Sequence, residues 1–167
     1  MRRLSVRAFA VSARPRPAIF LVLLASALLL IACQPSDRTP GQWLRGTMTA
    51  WPDDWRFTDA HKEIYVEVKT PWRIPHSVTI WCAQVDGRLY IGARDPLSKK
   101  WPGWVDDEPS IRLKIGTDIY EVTAEPLTDE QALLPVQTAY ASKYELGAAG
   151  LGAGNDVRYW AVVPRSR

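Results

Sequence analysis

The sequence predicts a mainly β (α+β) protein, a small antiparallel six-stranded barrel with one C-terminal helix packed against it. Apolar and polar residues alternate in short runs such as residues 63–69 and 111–115, which is typical of half-buried strands. Asp86 and Gly87 separate two strand-like runs, the strongest short-range signal for a hairpin. A helical pattern precedes the final run, so the last strand has enough chain before it to return and pair with an early one.

The six strands are expected as a single strand, two hairpins and a final single strand, in that order along the chain. The run at residues 77–85 is apolar on both faces, so we expect it to lie centrally and to be covered on both sides. Gly116 and Thr117 turn the chain between the two strands of a second hairpin. Strands are predicted at residues 63–69, 77–85, 88–93, 111–115, 120–125 and 159–163.

Two helical segments interrupt the strands. A short helical turn is expected around residues 99–107, between the two hairpins. Thr128 and Gln131 have the spacing of a capping box, which predicts the start of the C-terminal helix. Pro135 is expected to kink this helix and Gly147 to end it. The face turned to the barrel is expected to carry Leu133, Val136, Tyr140 and Tyr144.

The N-terminal segment has the pattern of a secretory signal. Residues 18–32 are uncharged, follow an arginine-rich stretch and precede Cys33. Fifteen apolar residues are short for a membrane-spanning helix, which needs about 20. Leu30-Ile31-Ala32-Cys33 resembles a bacterial lipobox, which implies cleavage before Cys33 and lipid attachment to it. Residues 1–32 are then the signal peptide, residues 33–47 the lipidated cysteine and a flexible tether, and residues 48–167 the barrel domain.

The N-terminal segment has other interpretations, and the lipoprotein interpretation predicts a location for the protein. An uncleaved anchor, or an ordinary signal peptide with Cys33 incidental, fits the same apolar run. Arg2-Arg3 admits twin-arginine export, but the flanking residues fit that pattern poorly and the core is rich in leucine, which favours export of the unfolded chain. The lipoprotein interpretation predicts a lipid bilayer as partner and the cell envelope as location. Gln34 after the cysteine favours the outer membrane, facing the periplasm, in a Gram-negative cell.

Charge and residue counts exclude several classes of function. The chain has 21 Lys and Arg against 18 Asp and Glu, but five of the arginines lie in residues 1–32, which leaves 16 against 18. The excess of basic residues therefore lies in the predicted signal peptide, so a nucleic-acid partner is not expected for the rest of the chain. The two histidines and two cysteines have no metal-ligand spacing, so no metal is expected. Cys82 is expected to pack as a small apolar residue.

Five segments together resemble the split β-barrel superfamily of FMN-binding proteins, near its deazaflavin-dependent nitroreductases. The resemblance runs from Val78 through Tyr144, about half of the chain, and the matching segments are residues 79–91, 100–105, 109–116, 120–124 and 140–144. The resemblance implies a homodimer and an FMN or deazaflavin cofactor. It also implies a phosphate site and two flanking indoles, carried here by Arg94, Ser98, Lys99, Lys100, Trp101 and Trp104. The Gly-Arg-hydroxyl-Gly turn of the flavin enzymes is replaced here by residues 73–77.

The residues themselves leave other interpretations open. The cations at residues 94–100 precede a helix start, which favours an anion, but the acidic residues 106–108 can neutralise them as part of a solvated loop. Trp101 and Trp104 can stack on a planar ligand or plug the end of the barrel. His76 stands at the mouth of a strand and His61 is expected at the surface. No catalytic residue is identified.

Two functional hypotheses follow from these observations. The first is a membrane-anchored lipoprotein whose barrel binds a flavin-like cofactor for oxidoreduction, where the cofactor carries the chemistry. The second is a non-catalytic binding or assembly module in which the cofactor site has been lost. The altered turn at residues 73–77 and export before folding favour the second, while the cationic loop favours the first.

Overall fold

The computed structural model describes residues 41, 43–146 and 157–165. The chain separates into two compact units, Met1–Pro35 and Ser36–Arg167, and every described residue belongs to the second. The predicted signal peptide, Cys33 and the predicted helix end at Gly147 lie outside the described residues. Within the described part of the chain, no helix has the length and apolar character needed to cross a membrane.

Eight strands form one sheet, in which a single pairing is parallel. The hydrogen-bonded order is β3-β2-β6-β7-β8-β5-β4, and β1 pairs with β7 in parallel outside this path. The other pairings are antiparallel. The strands are β1 Thr47–Thr49, β2 Ile64–Lys69, β3 Pro75–Ile80, β4 Cys82–Val85, β5 Arg88–Arg94, β6 Ser110–Ile115, β7 Asp118–Pro126 and β8 Val157–Pro164.

The chain itself joins the two ends of this sheet. β3 and β4 are the terminal strands of the hydrogen-bonded order, yet only Trp81 separates them in sequence. The sheet must therefore curl until its two edges meet at Trp81, which makes a split barrel. We call Trp81 and the strand ends on either side of it the seam.

The prediction of one continuous strand at residues 77–85 is wrong at this point. The segment breaks at Trp81 because β3 pairs with β2 while β4 pairs with β5, at the opposite end of the sheet. It lies at the sheet edges and not at the centre. Its two-sided apolar pattern nevertheless has the expected cause, since Cys82 faces the main core and Ala83 packs beneath the C-terminal helix. The mainly β split barrel with a C-terminal helix is confirmed, with eight strands instead of six.

Both predicted hairpins are present. Asp86 and Gly87 have φ angles of 51° and 77°, the two left-handed positions that a tight type I′ turn requires between β4 and β5. Gly116 has a φ of 60° between β6 and β7. The last strand, β8, pairs with both β5 and β7, as the long excursion before it predicted.

The inward side chains of the strands form one core. Ile64, Val66 and Val68 on β2 are at most 1% exposed, and Glu67 between Val66 and Val68 points to the outer face. Trp160 on β8 is fully buried and packs against Trp101 with ring centroids 5.4 Å apart. Burial of each large apolar side chain contributes about 1.5–3 kcal/mol to stability.

The described residues of the domain also form two α-helices and two short 3-10 turns. The turns are Arg56–Ala60 and Pro96–Ser98, and the helices are α1 Trp101–Asp107 and α2 Glu130–Lys143. The cap of α2 is Asp129, whose Oδ1 accepts a hydrogen bond from Gln131 N at 3.0 Å, and not Thr128 as predicted. The carboxylate of Asp129 accepts from N2 and also suits the positive helix N-terminus.

The barrel-facing side of α2 is as predicted. Val136 and Tyr140 are buried, and Leu133 and Tyr144 pack against the same cluster. The helix continues through Pro135 from Glu130 to Lys143.

The segment before β1 also packs on the domain. Leu44 is 1% exposed; its N–H donates to Glu67 Oε2 at 2.6 Å and its carbonyl accepts from Arg112 Nη2 at 3.3 Å. Part of the tether predicted for residues 33–47 therefore belongs to the folded unit. Sequence periodicity does not reveal this because a single leucine carries the burial.

Candidate functional site

A cavity of about 320 Å³ opens beside the seam, and we call it the seam cavity. Its walls are mostly apolar or aromatic, and its charged side chains are Glu63, Arg94 and Lys99. The volume lies at the lower end of the range of about 300–1,000 Å³ for small-molecule pockets. The lining residues are Glu63, Thr79, Ile80, Trp81, Gly92, Ala93, Arg94, Lys99, Trp101, Tyr140, Leu146, Val157 and Tyr159.

Three of the six residues assigned to a cofactor by the sequence line this cavity: Arg94, Lys99 and Trp101. Arg94 ends β5, and the turn Pro96–Ser98 then brings Lys99 back until its Nζ donates a hydrogen bond to the Arg94 carbonyl. The guanidinium of Arg94 has no ion-pair partner among the described residues. Two cations therefore stand together at the rim, one of them free to take an anion.

The other three residues lie elsewhere. Ser98 Oγ donates to the Asp95 carbonyl at 2.7 Å, which closes the turn. Lys100 is exposed, precedes α1 and does not line the cavity. Trp104 meets Trp72 and His76 edge-on, with centroid distances of 5.6 and 5.4 Å, and lines a different cavity.

The two indoles proposed to flank a ring thus line different cavities. Trp101 is 6% exposed and packs on Trp160, so it also plugs the barrel end beside the seam cavity. A planar ligand in the seam cavity contacts Trp101 and not Trp104. The second aromatic surface there is Trp81, which is 40% exposed and stacks on Tyr144 with centroids 4.2 Å apart and planes 9° apart.

Tyr140 and Gly92 shape the interior of the cavity. Tyr140 is 4% exposed, and its hydroxyl donates to the carbonyls of Trp81 at 3.0 Å and Tyr90 at 3.2 Å. Burial raises the pKa of Tyr140 well above its ordinary value, so the hydroxyl stays protonated. A Cβ on Gly92 would lie 3.1 Å from the Tyr159 ring and 3.3 Å from the Tyr140 hydroxyl. Glycine at this position therefore allows Tyr159 and Tyr140 to pack closely against β5.

Sequence analysis missed Trp81, Gly92 and Tyr140 as site residues. Trp81 seemed to be one position in a continuous strand, and Tyr140 one position on an amphipathic helix face. The available signal was Trp81 itself, a large side chain on the face of the strand opposite Val78, Ile80 and Cys82.

Cys82 packs as a buried thiol, as the sequence predicts. It is 0% exposed and lies 3.6 Å from Lys143 Nζ, which also donates to the Thr58 carbonyl at 2.9 Å. Burial raises the pKa of the Cys82 thiol, and the nearby Lys143 ammonium offsets this only in part. A neutral thiol is a poor nucleophile. Among the described residues, no group of three or more His, Cys, Asp or Glu side chains is placed to hold a metal ion.

No family model matches the sequence, and neither does any curated protein. Solved structures do match. HutZ, the haem storage protein from Vibrio cholerae, aligns with a TM-score of 0.54 at 10% identity over 66% of this chain and 87% of HutZ. An F420-H2-dependent reductase aligns with a TM-score of 0.50 at 14% identity over 61% of this chain and 94% of the reductase.

A structure described as a domain-swapped dimer aligns with a TM-score of 0.51 at 12% identity, over 88% of this chain and 99% of that one. All three identities are low, so the likeness establishes the fold and not the activity. Together with the seam at Trp81 and the strand order, it shows that this chain has a split β-barrel fold, which it shares with the F420-H2-dependent reductase and HutZ.

Proposed function

We propose that the seam cavity binds a planar, phosphate-bearing cofactor of the flavin type, FMN or a deazaflavin, and that the domain serves an oxidoreductase reaction. The observation that carries the proposal is the pair of cations, Arg94 and Lys99, at the rim of a cavity with indole walls. The residues fit such a group on a second count, since Trp81, which is 40% exposed, adds an aromatic surface to the lining of the cavity. When bound, the cofactor supplies electron or hydride transfer.

Different residues would hold the phosphate and the ring system of the cofactor. The guanidinium of Arg94, which has no ion-pair partner in the described part of the chain, suits a phosphate because its planar fork donates two parallel hydrogen bonds. Lys99 adds a second positive charge, and Trp101 and Trp81 offer aromatic surfaces for a ring system. Tyr140 shapes the interior and does not donate a proton to substrate, because its hydroxyl proton is committed to two carbonyls.

The donor set of the cavity favours a flavin over haem. No histidine, methionine or cysteine is among the described residues that line it, and these are common axial ligands of haem iron. Tyr140 and Tyr159 do line it, but burial raises the pKa of both hydroxyls, which disfavours the phenolate that iron would need.

The second hypothesis, a non-catalytic module, has its own support. Ser98 and Lys100 are not part of the cavity, so the phosphate site implied by the resemblance is reduced from four side chains to two. Arg73 and Pro75, from the segment that replaces the flavin turn, line a different cavity. A domain that binds neither FMN nor F420 would be assigned to this hypothesis.

Titration of the full-length protein in mild detergent tests the cofactor proposal. FMN and F420 are added separately, and binding is followed by quenching of cofactor fluorescence. Arg94→Ala is expected to weaken binding by about 10- to 100-fold, since a hydrogen bond to a charged group contributes about 1.5–3 kcal/mol. Lys100→Ala is the matched control, because it removes a neighbouring cation that does not line the cavity. Equal losses in both variants, or no binding at tens of micromolar cofactor (about 6–7 kcal/mol), would contradict the proposal.

We also propose that Cys33 carries lipid and anchors the protein to the cell envelope, on the outer membrane facing the periplasm in a Gram-negative cell. The support is the lipobox-like segment before Cys33 and the absence of acid from residues 1–32. Because stable anchoring needs more than one acyl chain, Cys33→Ala is expected to release the protein from membranes and to abolish labelling by an alkyne palmitate analogue. Retention of both would contradict the lipid anchor.

A homodimer is the partner that the resemblance implies. Light scattering on the purified protein is expected to give twice the mass of one chain, and a monomer at all concentrations would contradict this.

A further inference from the structure

A second, larger cavity lies on the outer face of the barrel, over β2, β6 and β7, and we call it the outer groove. Its volume is about 1,100 Å³, more than three times the 320 Å³ of the seam cavity. It shares no lining residue with the seam cavity. The outer groove is lined by Trp43, Met48, Glu67, Val68, Lys69, Thr70, Pro71, Arg73, Pro75, Trp104, Asp107, Glu108, Ser110, Arg112, Glu121 and Arg165.

The floor of the outer groove is a row of alternating charges. The strand register places Glu67, Arg112 and Glu121 side by side on β2, β6 and β7, and Arg165 follows the end of β8. Arg112 Nη1 donates to both oxygens of Glu67, at 2.9 and 3.1 Å. Arg165 Nη1 lies 3.0 Å from Glu121 Oε2. The row is therefore paired within itself and held in position by the sheet.

Among the described residues, the charges that line the outer groove balance. The four cations are Lys69, Arg73, Arg112 and Arg165, and the four carboxylates are Glu67, Asp107, Glu108 and Glu121. A groove of this kind has no net attraction for a phosphate-bearing ligand or a polycation. The better-exposed groups of the lining, Lys69, Glu108 and Glu121, still offer hydrogen bonds, because an ammonium has three N–H donors and a carboxylate about four acceptor positions. These features suit a neutral ligand rich in hydroxyl groups.

Indoles provide the apolar part of the outer groove. Trp43 is 58% exposed, and the Arg112 guanidinium lies 5.2 Å from its ring centroid. Trp104 meets Trp72, which is 60% exposed, with centroids 5.6 Å apart. Large aromatic surfaces left in water beside a polar floor are typical of binding sites.

We propose that the outer groove binds a neutral oligosaccharide of β-linked hexopyranose units. Such a sugar has apolar C–H faces, which match the indoles of Trp43 and Trp104, and hydroxyl edges, which match the charge row of the floor. The inference uses none of the residues of the seam cavity and stands independently of the cofactor proposal.

Calorimetric titration of the full-length protein tests the proposal. The probes are three tetrasaccharides, of β-1,4-linked N-acetylglucosamine, of β-1,4-linked glucose and of α-1,4-linked glucose. Binding is expected for a β-linked probe and is expected to be weaker for the α-linked one, whose chain curls. Trp43→Ala is expected to weaken binding by about tenfold, and Trp43→Phe by less, because the ring is retained. Since the lining is neutral overall, affinity is expected to change less than twofold between about 0.05 and 0.5 M salt.

Trp51→Ala is the matched control. It removes another exposed indole, 41% exposed, that does not line the outer groove, so it is expected to leave sugar binding unchanged. Three results would each overturn the proposal: no heat with any probe, equal losses in Trp43→Ala and Trp51→Ala, or conversion of a dimer into a monomer by Trp43→Ala. The last result would mean that a second copy of the chain covers the outer groove.

Discussion

Tyr140→Phe removes one oxygen atom from the place where α2 holds the seam. The Tyr140 hydroxyl donates to the carbonyls of Trp81 and Tyr90, at 3.0 and 3.2 Å. Trp81 lies between the registers of β3 and β4, so no ladder pair supports its carbonyl. A lost hydrogen bond costs about 1 kcal/mol net, and an unsatisfied buried carbonyl adds about 1–3 kcal/mol. Because Tyr140 is 4% exposed, water cannot easily replace the hydroxyl, and we expect a loss of about 2 kcal/mol.

Equilibrium unfolding in urea measures this loss. With a slope of about 2 kcal/mol per molar urea, the midpoint is expected to fall by about 1 M. Tyr65→Phe is the control, since the half-buried Tyr65 hydroxyl has no hydrogen-bond partner among the described residues; its change is expected within about 0.5 kcal/mol. If Tyr140→Phe unfolds at the same urea concentration as Tyr65→Phe, the hydroxyl does not hold the seam.

Four further outcomes are expected. Asp129→Ala removes the cap that accepts from Gln131 N and is expected to cost about 1 kcal/mol in thermal unfolding, with a result near zero contradicting the cap. Gly87→Ala forces an alanine to a φ of 77° and is expected to cost about 1 kcal/mol in urea, whereas a stabilised variant would contradict the left-handed turn. Burial raises the pKa of Tyr140 in the folded state, so the unfolded chain loses this proton at a lower pH than the folded protein does. The unfolding free energy is therefore expected to fall as pH rises above about 10. In Tyr140→Phe, the unfolding free energy is expected to depend less steeply on pH in this range. Cys82 is expected to react with a maleimide only after unfolding, as mass spectrometry would detect, and rapid labelling of the folded protein would contradict its burial.

Local signals explain why much of the barrel was predictable. The β4–β5 hairpin depends on Asp86 and Gly87, which adopt the positive φ angles of the tight turn. Alternation along β2 and β6 reports which face is buried, because successive strand residues point to opposite sides. The apolar face of α2 has the same kind of local cause, a helical repeat ending in Tyr140 and Tyr144.

The break at Trp81 was not predictable in the same way. Residues on both sides of it have strand character, and nothing local says that Ile80 pairs with β2 while Cys82 pairs with β5. Packing of Leu44 was missed for a related reason. Its burial depends on Glu67 and Arg112, which are 23 and 68 residues away in sequence.

The candidate site was likewise predictable only in part. The cationic loop and the neighbouring tryptophan were identifiable from residue type, and Arg94, Lys99 and Trp101 do meet at one cavity. The sequence did not predict that Trp101 and Trp104 line different cavities. This depends on the side chain that each indole packs against, which is Trp160 for Trp101 and His76 for Trp104.

By itself, the sequence determined the short-range features of this protein: the turn at Asp86 and Gly87, the alternating strands and the buried face of the final helix. Each is set by residues within a few positions of one another, whose conformational preferences act before the chain is folded. Tertiary structure alone decided that the sheet closes at Trp81 and that the cations and indoles divide between two cavities. Those outcomes depend on contacts between residues far apart in sequence, and only the curled sheet brings such residues together.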